Sequence, residues 1–111
     1  MPFYEGLASV YVDGVGWGVI DKTGAYVIAP RLAGIGPFSD GLAAAQLSEH
    51  DLYRWAYIDH RGKEVISLPF DVEFAWPFHA GNAWIRVPYL FSSRTEEIDR
   101  RGRVIAVSPV G

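Results

Sequence analysis

Three aspartates stand at one fixed distance from a glycine, in "IDKTG" at 20–24, "IDHRG" at 58–62 and "IDRRG" at 98–102. Carboxylates that recur in this way, Asp21, Asp59 and Asp99, could gather round a metal ion or share acid–base work. The same spacing also serves a hairpin turn. Asp at its first position accepts nearby backbone N–H groups, and glycine at its fourth (Gly24, Gly62, Gly102) supplies a positive φ. The turn is the expectation here. The three histidines, His50, His60 and His79, show no ligand-like spacing. His60 falls inside the second turn, where the other copies have Lys22 and Arg100, and is expected to be solvated. His50 sits in an inserted loop, and His79 replaces Tyr4 and Ser39 at a variable position. Glu96 and Glu97 are adjacent, so on a strand they point to opposite faces and cannot act together on one bond. No nucleophile elbow, phosphate loop or dinucleotide fingerprint is present. These residues lead us to expect no enzyme, no cofactor and no metal.

Chemistry of a second kind, recognition, is concentrated in "NAWIRVPYLFSSRTEE". Trp84 stands where corresponding segments have Ser9 and Ala44, and Arg86 shares its strand face. Tyr89, Phe91 and Arg94 follow. Aromatics with arginine are enriched at protein interfaces, so these five residues form the expected interaction patch. The competing reading is that Trp84, Tyr89 and Phe91 fill space left by a tryptophan this segment lacks. Phe74 and Trp76 read as core.

The elements that must position these groups are repeats. Pro-Phe-x-x-Gly-x-Ala occurs as "PFYEGLA" (2–8), "PFSDGLA" (37–43) and "PFHAGNA" (77–83), with Phe3, Phe38 and Phe78 in register. The Ile-Asp-x-x-Gly marker follows each in the same order. Ala8, Val10 and Val12 match Ala43, Ala45 and Leu47, then Ala83, Ile85 and Val87, and their alternation predicts strands with that face inward. "WGVID" and "WAYID" alternate too, then a turn leads to a further strand. Each unit therefore reads as a three-stranded antiparallel meander, at about 2–36, 37–76 and 77–111. Proline-rich connectors are expected to end pairing between units. The expectation is one all-β domain over residues 1–111, of eight or nine short strands stacked in a compact or solenoid-like array. Gly18 and Ala56 follow Trp17 and Trp55, and a small residue there lets a neighbouring strand lie close. The third copy has Thr95 and Glu96 instead, and its final strand "GRVIA" reads as one residue shorter than "GKEVI". Loss of its Trp marks it as a degenerate cap rather than a binding copy.

Pro-Phe-x-x-Gly-Leu-Ala followed by Trp-Gly-x-Ile-Asp-x-x-Gly-x-x-Val-Ile resembles the bacterial WG-repeat family, also called KWG repeats. The resemblance covers essentially the whole chain, with two good copies and one that keeps Pro77, Phe78, Gly81, Ala83, Ile98, Asp99 and Gly102 without the Trp-Gly pair. It implies β-rich repeats presumed to bind other proteins, and brings no catalytic residues.

Composition bounds the rest. The chain has 111 residues, half of them apolar, no cysteine and a formal charge of -3. That charge argues against a nucleic-acid partner, and no apolar run is long enough to span a bilayer. Residues 1–80 carry a net -5 and residues 81–111 a net +2, an asymmetry that could support head-to-tail association. No signal peptide is visible, so a cytoplasmic location is expected. The functional expectation is a scaffold for protein–protein contacts with an unnamed partner. A small toxin-neutralising (immunity-type) inhibitor is the alternative, with a ligand binder or enzyme disfavoured behind it. The strand edge "FYEGLASVYV" is poorly protected and offers a route to a homodimer.

Overall fold

Eleven strands and no helix form among the residues that the computed structural model describes, which are 3–48, 50, 51, 53–68 and 71–108. Pro2 of the first marker, Pro69 and Phe70 of the second connector, and residues 109–111 lie outside them. The first sheet holds β1 (Leu7–Val12), β2 (Gly16–Asp21) and β3 (Tyr26–Leu32). The second holds β4 (Gly34–Ile35), β5 (Ala43–Gln46), β6 (Trp55–Ile58) and β7 (Glu64–Ser67). The third holds β8 (Phe74–Ala75), β9 (Asn82–Tyr89), β10 (Ser92–Asp99) and β11 (Val104–Val107). Every pairing is antiparallel between chain neighbours. The all-β repeat architecture expected from the sequence is present, and among the described residues no sheet closes into a barrel.

Two strands beyond the upper expectation of nine appear, because the connectors pair before their prolines stop them. β4 and β8, two residues each, lie beside β5 and β9. Proline also enters strands where its missing N–H is harmless. Pro30 lies in the edge strand β3, and Pro88 lies in β9 beyond the short reach of β8.

Two turns recur in every unit. At Glu5–Gly6, Asp40–Gly41 and Ala80–Gly81 both residues have positive φ, between 53° and 87°, which makes a two-residue hairpin whose twist matches its strands. At the Ile-Asp-x-x-Gly marker the glycine N–H donates to the Asp carbonyl at 2.9–3.0 Å. The strand that follows then skips one residue. Each copy has its register shift at the same place, between Val19 and Ile20, Tyr57 and Ile58, and Glu97 and Ile98. β7 and β11 are both four residues long, so the third copy's last strand is not shorter.

The sheets stack in chain order, and the second is buried on both faces. Leu7, Trp17, Val19, Ile28 and Leu32 of the first sheet pack on Ala43, Ala45 and Ile58 of the second. On its other side, Leu42, Ala44, Trp55, Tyr57 and Ile66 pack on Ala83, Ile85 and Ile98 of the third. At both seams the Trp face of one unit thus covers the receiving face of the next. Ala8, Val10 and Val12 are placed on the receiving face, as their matches are, yet in the first sheet that face belongs to neither core cluster. The residues of β1 that point toward the second sheet are Leu7, Ser9 and Tyr11. Both sets are mostly apolar, so alternation alone cannot rank them.

Gly18 marks a close approach. A Cβ there would sit 2.7 Å from the Ile28 carbonyl oxygen and 2.9 Å from the Pro30 nitrogen. The cause is the irregular pairing of β3 with β2 around Pro30. In the second copy Ala56 pairs regularly with Ser67 and Leu68 replaces the proline, so a methyl group fits.

Candidate binding cleft between the first and second sheets

The three aspartates are occupied by their own turns. Asp21 Oδ1 accepts the Thr23 hydroxyl at 2.6 Å and the N–H groups of Thr23 and Ala25 at 2.9 and 3.2 Å. Asp59 Oδ1 accepts the N–H groups of Arg61 and Lys63, and Asp99 Oδ1 those of Arg101 and Arg103. The Thr23 hydroxyl holds the Asp21 carboxyl below its ordinary range. For Asp59 desolvation opposes the shift, and the N–H bonds from Arg61 and Lys63 outweigh it. For Asp99 the Arg103 N–H is the largest cause, and the same residue adds a side-chain bond of 2.9 Å. Among the described residues no cluster of three or more His, Asp or Glu side chains is placed to hold a metal ion. No helix among them is long and apolar enough to cross a membrane.

His60 is more than a solvated turn residue. Its Nε2 lies 2.8 Å from Glu5 Oε1, and its ring meets the edge of Phe38 at 5.0 Å. Glu5 reaches it because the same carboxylate accepts the Gly41 N–H, so one unit clasps the next. His50 and His79 are exposed.

The five residues of the expected interaction patch do not share one surface. Trp84 and Arg86 lie on the outer, Trp-equivalent face of the third sheet, with the Arg86 guanidinium 5.3 Å from the Trp76 ring. Val87, Tyr89 and Arg94 belong to the other face; Arg94 stacks on Tyr89 at 4.3 Å and pairs with Glu96 at 2.9 Å. Phe91 is at the tip of the β9–β10 hairpin, fully exposed beside Leu90, whose φ is 54°. Phe74, read as core, is 42% exposed, and Trp76 is only half-buried.

The site the residues do assemble lies elsewhere, and a comparison of the two seams between sheets shows why. In the second seam Tyr57 is wholly buried, its ring edge-on to Phe78 at 4.7 Å and its hydroxyl donating to the Trp76 carbonyl at 2.7 Å. Burial pushes that phenol's pKa up. Phe74 meets Trp55 at 5.4 Å. The first seam has Val19 in place of Tyr57 and Gly34 in place of Phe74. There a cleft of about 480 Å³ opens, within the roughly 300–1,000 Å³ usual for ligand sites. Its floor includes Val19 and Phe38, the counterparts of Tyr57 and Phe78, and its walls include Tyr4, Tyr11 and Trp17. Tyr11 and Trp17 rings stand 5.4 Å apart, and both tyrosines are about half exposed. Apolar surface therefore surrounds a few polar groups, Ser9 and the two phenols, in a lining that suits an aromatic or aliphatic group.

Tyr4, Tyr11 and Val19 escape a reading of motifs because the motif positions are what the copies share. The signal for the cleft is the opposite one: Tyr4 faces Ser39, Tyr11 faces Gln46 and Val19 faces Tyr57 when the copies are aligned.

The model of the family described as WG containing repeat matches residues 17–49 and 55–87. Each match begins on a tryptophan, Trp17 or Trp55, and crosses from one sheet into the next, so its span includes the seam that the Trp face makes. The third Ile-Asp-x-x-Gly marker lies outside both. Neither the curated proteins nor the solved structures hold a significant match to this chain. With more than half of its residues matched, the chain belongs to the WG-containing repeat family.

Proposed function

We propose that this chain is a non-enzymatic repeat scaffold for protein–protein contacts, and that the first seam receives an aromatic side chain of the partner. One observation carries the reading. The cleft lies where the second seam seats Tyr57, and it keeps the phenylalanine on which that ring rests. The protein thus contains, one repeat along, a filled version of its own open site. A tyrosine or phenylalanine presented by a partner would meet Phe38 edge-on, with Trp17 and Tyr11 as walls. Aromatic pairs of this kind contribute about 0.5–1.5 kcal/mol beyond their area.

The test uses p-cresol as the minimal phenol, and a five-residue peptide, Gly-Ala-Tyr-Ala-Gly, beside its Tyr-to-Ala counterpart. Nuclear magnetic resonance should show a saturable shift of the Trp17 indole N–H with p-cresol and with the tyrosine peptide. Val19→Tyr, which fills the seat from within, should remove that response, while Phe91→Ala should leave it intact. A Trp17 signal that does not saturate, or an equal response in Val19→Tyr, would refute the assignment.

A further inference from the structure

Adjacent units are joined by a code of contacts that is repeated at both seams. Glu5 of the first unit accepts the Gly41 N–H of the second and pairs with His60. Asp40 of the second unit likewise accepts the Gly81 N–H of the third at 2.8 Å, and its backbone carbonyl takes Arg100 at 2.6 Å. Ile28 lies so close to Gly62 that a Cβ on the glycine would be 2.9 Å away, and Ile66 stands in the same relation to Gly102. Around these contacts the Trp face of one unit covers the alanines, Ile and Phe of the next.

The two outer faces of the stack keep different halves of this code. On the third sheet the Trp face has lost its own half: Ala80 replaces the acid, Thr95 the tryptophan, Glu97 the Val or Tyr, and Ala106 the isoleucine. Trp84 adds bulk where the other copies are small, and Thr95 Oγ1 is bonded to the Ser108 hydroxyl. The first sheet, by contrast, keeps the whole receiving half. Ala8, itself only 2% exposed, and the half-buried Val10 and Ile20 stand where Ala43, Ala45 and Ile58 are buried, and Lys22 stands where His60 and Arg100 meet the preceding unit. Gly24, unlike Gly62 and Gly102, has nothing within 4 Å of its Cβ position. Phe3 is 42% exposed where Phe38 and Phe78 are 5% and 0%.

The geometry points to the outer face of the first sheet as a docking site for the Trp face of a further WG-type repeat. That repeat must carry an aromatic at the Trp17 position and a carboxylate at the Glu5 position. The apolar positions fit because they are the ones that fit twice inside the molecule. Charge selects the same occupant, since an incoming carboxylate would meet Lys22 and the Gly6 N–H as Glu5 meets His60 and the Gly41 N–H. A second copy offering its third sheet fails on every one of these points, so the docking has a polarity that this chain cannot satisfy with itself.

The experiment repairs the missing half. Ala80→Asp, Asn82→Leu, Trp84→Ala, Thr95→Trp, Glu97→Tyr and Ala106→Ile graft the second copy's Trp face onto the third sheet. In sedimentation velocity the grafted chain should grow with concentration into dimers and longer species, while the unsubstituted chain stays a single monomeric species. Adding Lys22→Glu should weaken the grafted assembly at least tenfold, and adding Val10→Glu should abolish it. If the graft does not fold by circular dichroism, Ala80→Asp with Thr95→Trp carries the same test, at lower affinity but with the same sensitivity to Lys22→Glu. A folded graft that stays monomeric would overturn the proposal. So would an assembly indifferent to Lys22→Glu and Val10→Glu, or an unsubstituted chain that already pairs with itself through Val10.

Discussion

Between the second and third sheets, Tyr57 lies wholly buried against Phe78. Between the first and second, the same position is Val19, and a cleft lined by Tyr4, Tyr11 and Trp17 opens beside it. The two seams share backbone, turns and most apolar positions, so the difference comes from single side chains. It teaches that a repeat frame can be closed for stability at one joint and left open for recognition at the next. Aromatic mass is also redistributed. The second seam has its tyrosine in the interior, whereas the first seam's tyrosines stand half exposed at the rim.

The largest effect should come from emptying the filled seam. Tyr57→Ala removes a fully buried ring together with its bond to the Trp76 carbonyl, and should cost about 3–5 kcal/mol in guanidinium unfolding. Val19→Ala, the matching change beside the open cleft, deletes two carbons from a buried position and should cost about 1–2 kcal/mol. Equal losses would break the comparison, because the first seam would then depend on its packing as heavily as the second.

A smaller effect should separate the two Trp-small pairs. Gly18→Ala drives a methyl group against backbone atoms of Ile28 and Pro30, which cannot swing aside, and should cost about 1–3 kcal/mol. Ala56→Gly places a more flexible residue in a regular strand and should cost about 0.5–1 kcal/mol. Thermal unfolding of the two variants measures the difference. A tolerated Gly18→Ala would mean that β3 can relax around Pro30, and that the irregular pairing is not what demands glycine.

How much of this was legible beforehand follows the same division. Positions the copies share were readable: the Asp-x-x-Gly turns and the meander follow from local chemistry acting three times, and the small residue after Trp from chemistry acting twice. Which face of the first unit points inward was not, since Leu7, Ser9 and Tyr11 alternate as well as Ala8, Val10 and Val12 do. Only the partner sheet decides between them. The patch built on Trp84, Arg86, Tyr89, Phe91 and Arg94 was drawn from one copy's anomalies, and strand parity divides it between two faces. The cleft depended on pairs of residues from different copies, Val19 with Tyr57 and Tyr11 with Gln46, which a search for motifs passes over.

The smallest effect tests what does not differ between copies. All three turn carboxyls are held below their ordinary 3.8 in the folded chain. A carboxyl with a depressed folded pKa contributes stability that is present above its unfolded value and is lost as pH falls through the folded one. Stability from these turns should therefore be constant from pH 8 down to about pH 5 and decline below about pH 4. Asp21→Asn, Asp59→Asn and Asp99→Asn together keep an oxygen able to accept the two backbone N–H groups but remove the charge. Guanidinium midpoints measured at intervals from pH 7 to pH 2 should then lose part of their acid decline, with a small loss at neutral pH. The copies should also separate by salt. Asp99 is paired to an exposed Arg103 and Asp21 to the neutral Thr23 hydroxyl, so added salt should weaken the first contribution and spare the second. An acid decline unchanged in the triple variant would place the pH dependence in other groups, and the shared turns would owe their order to backbone geometry and glycine alone.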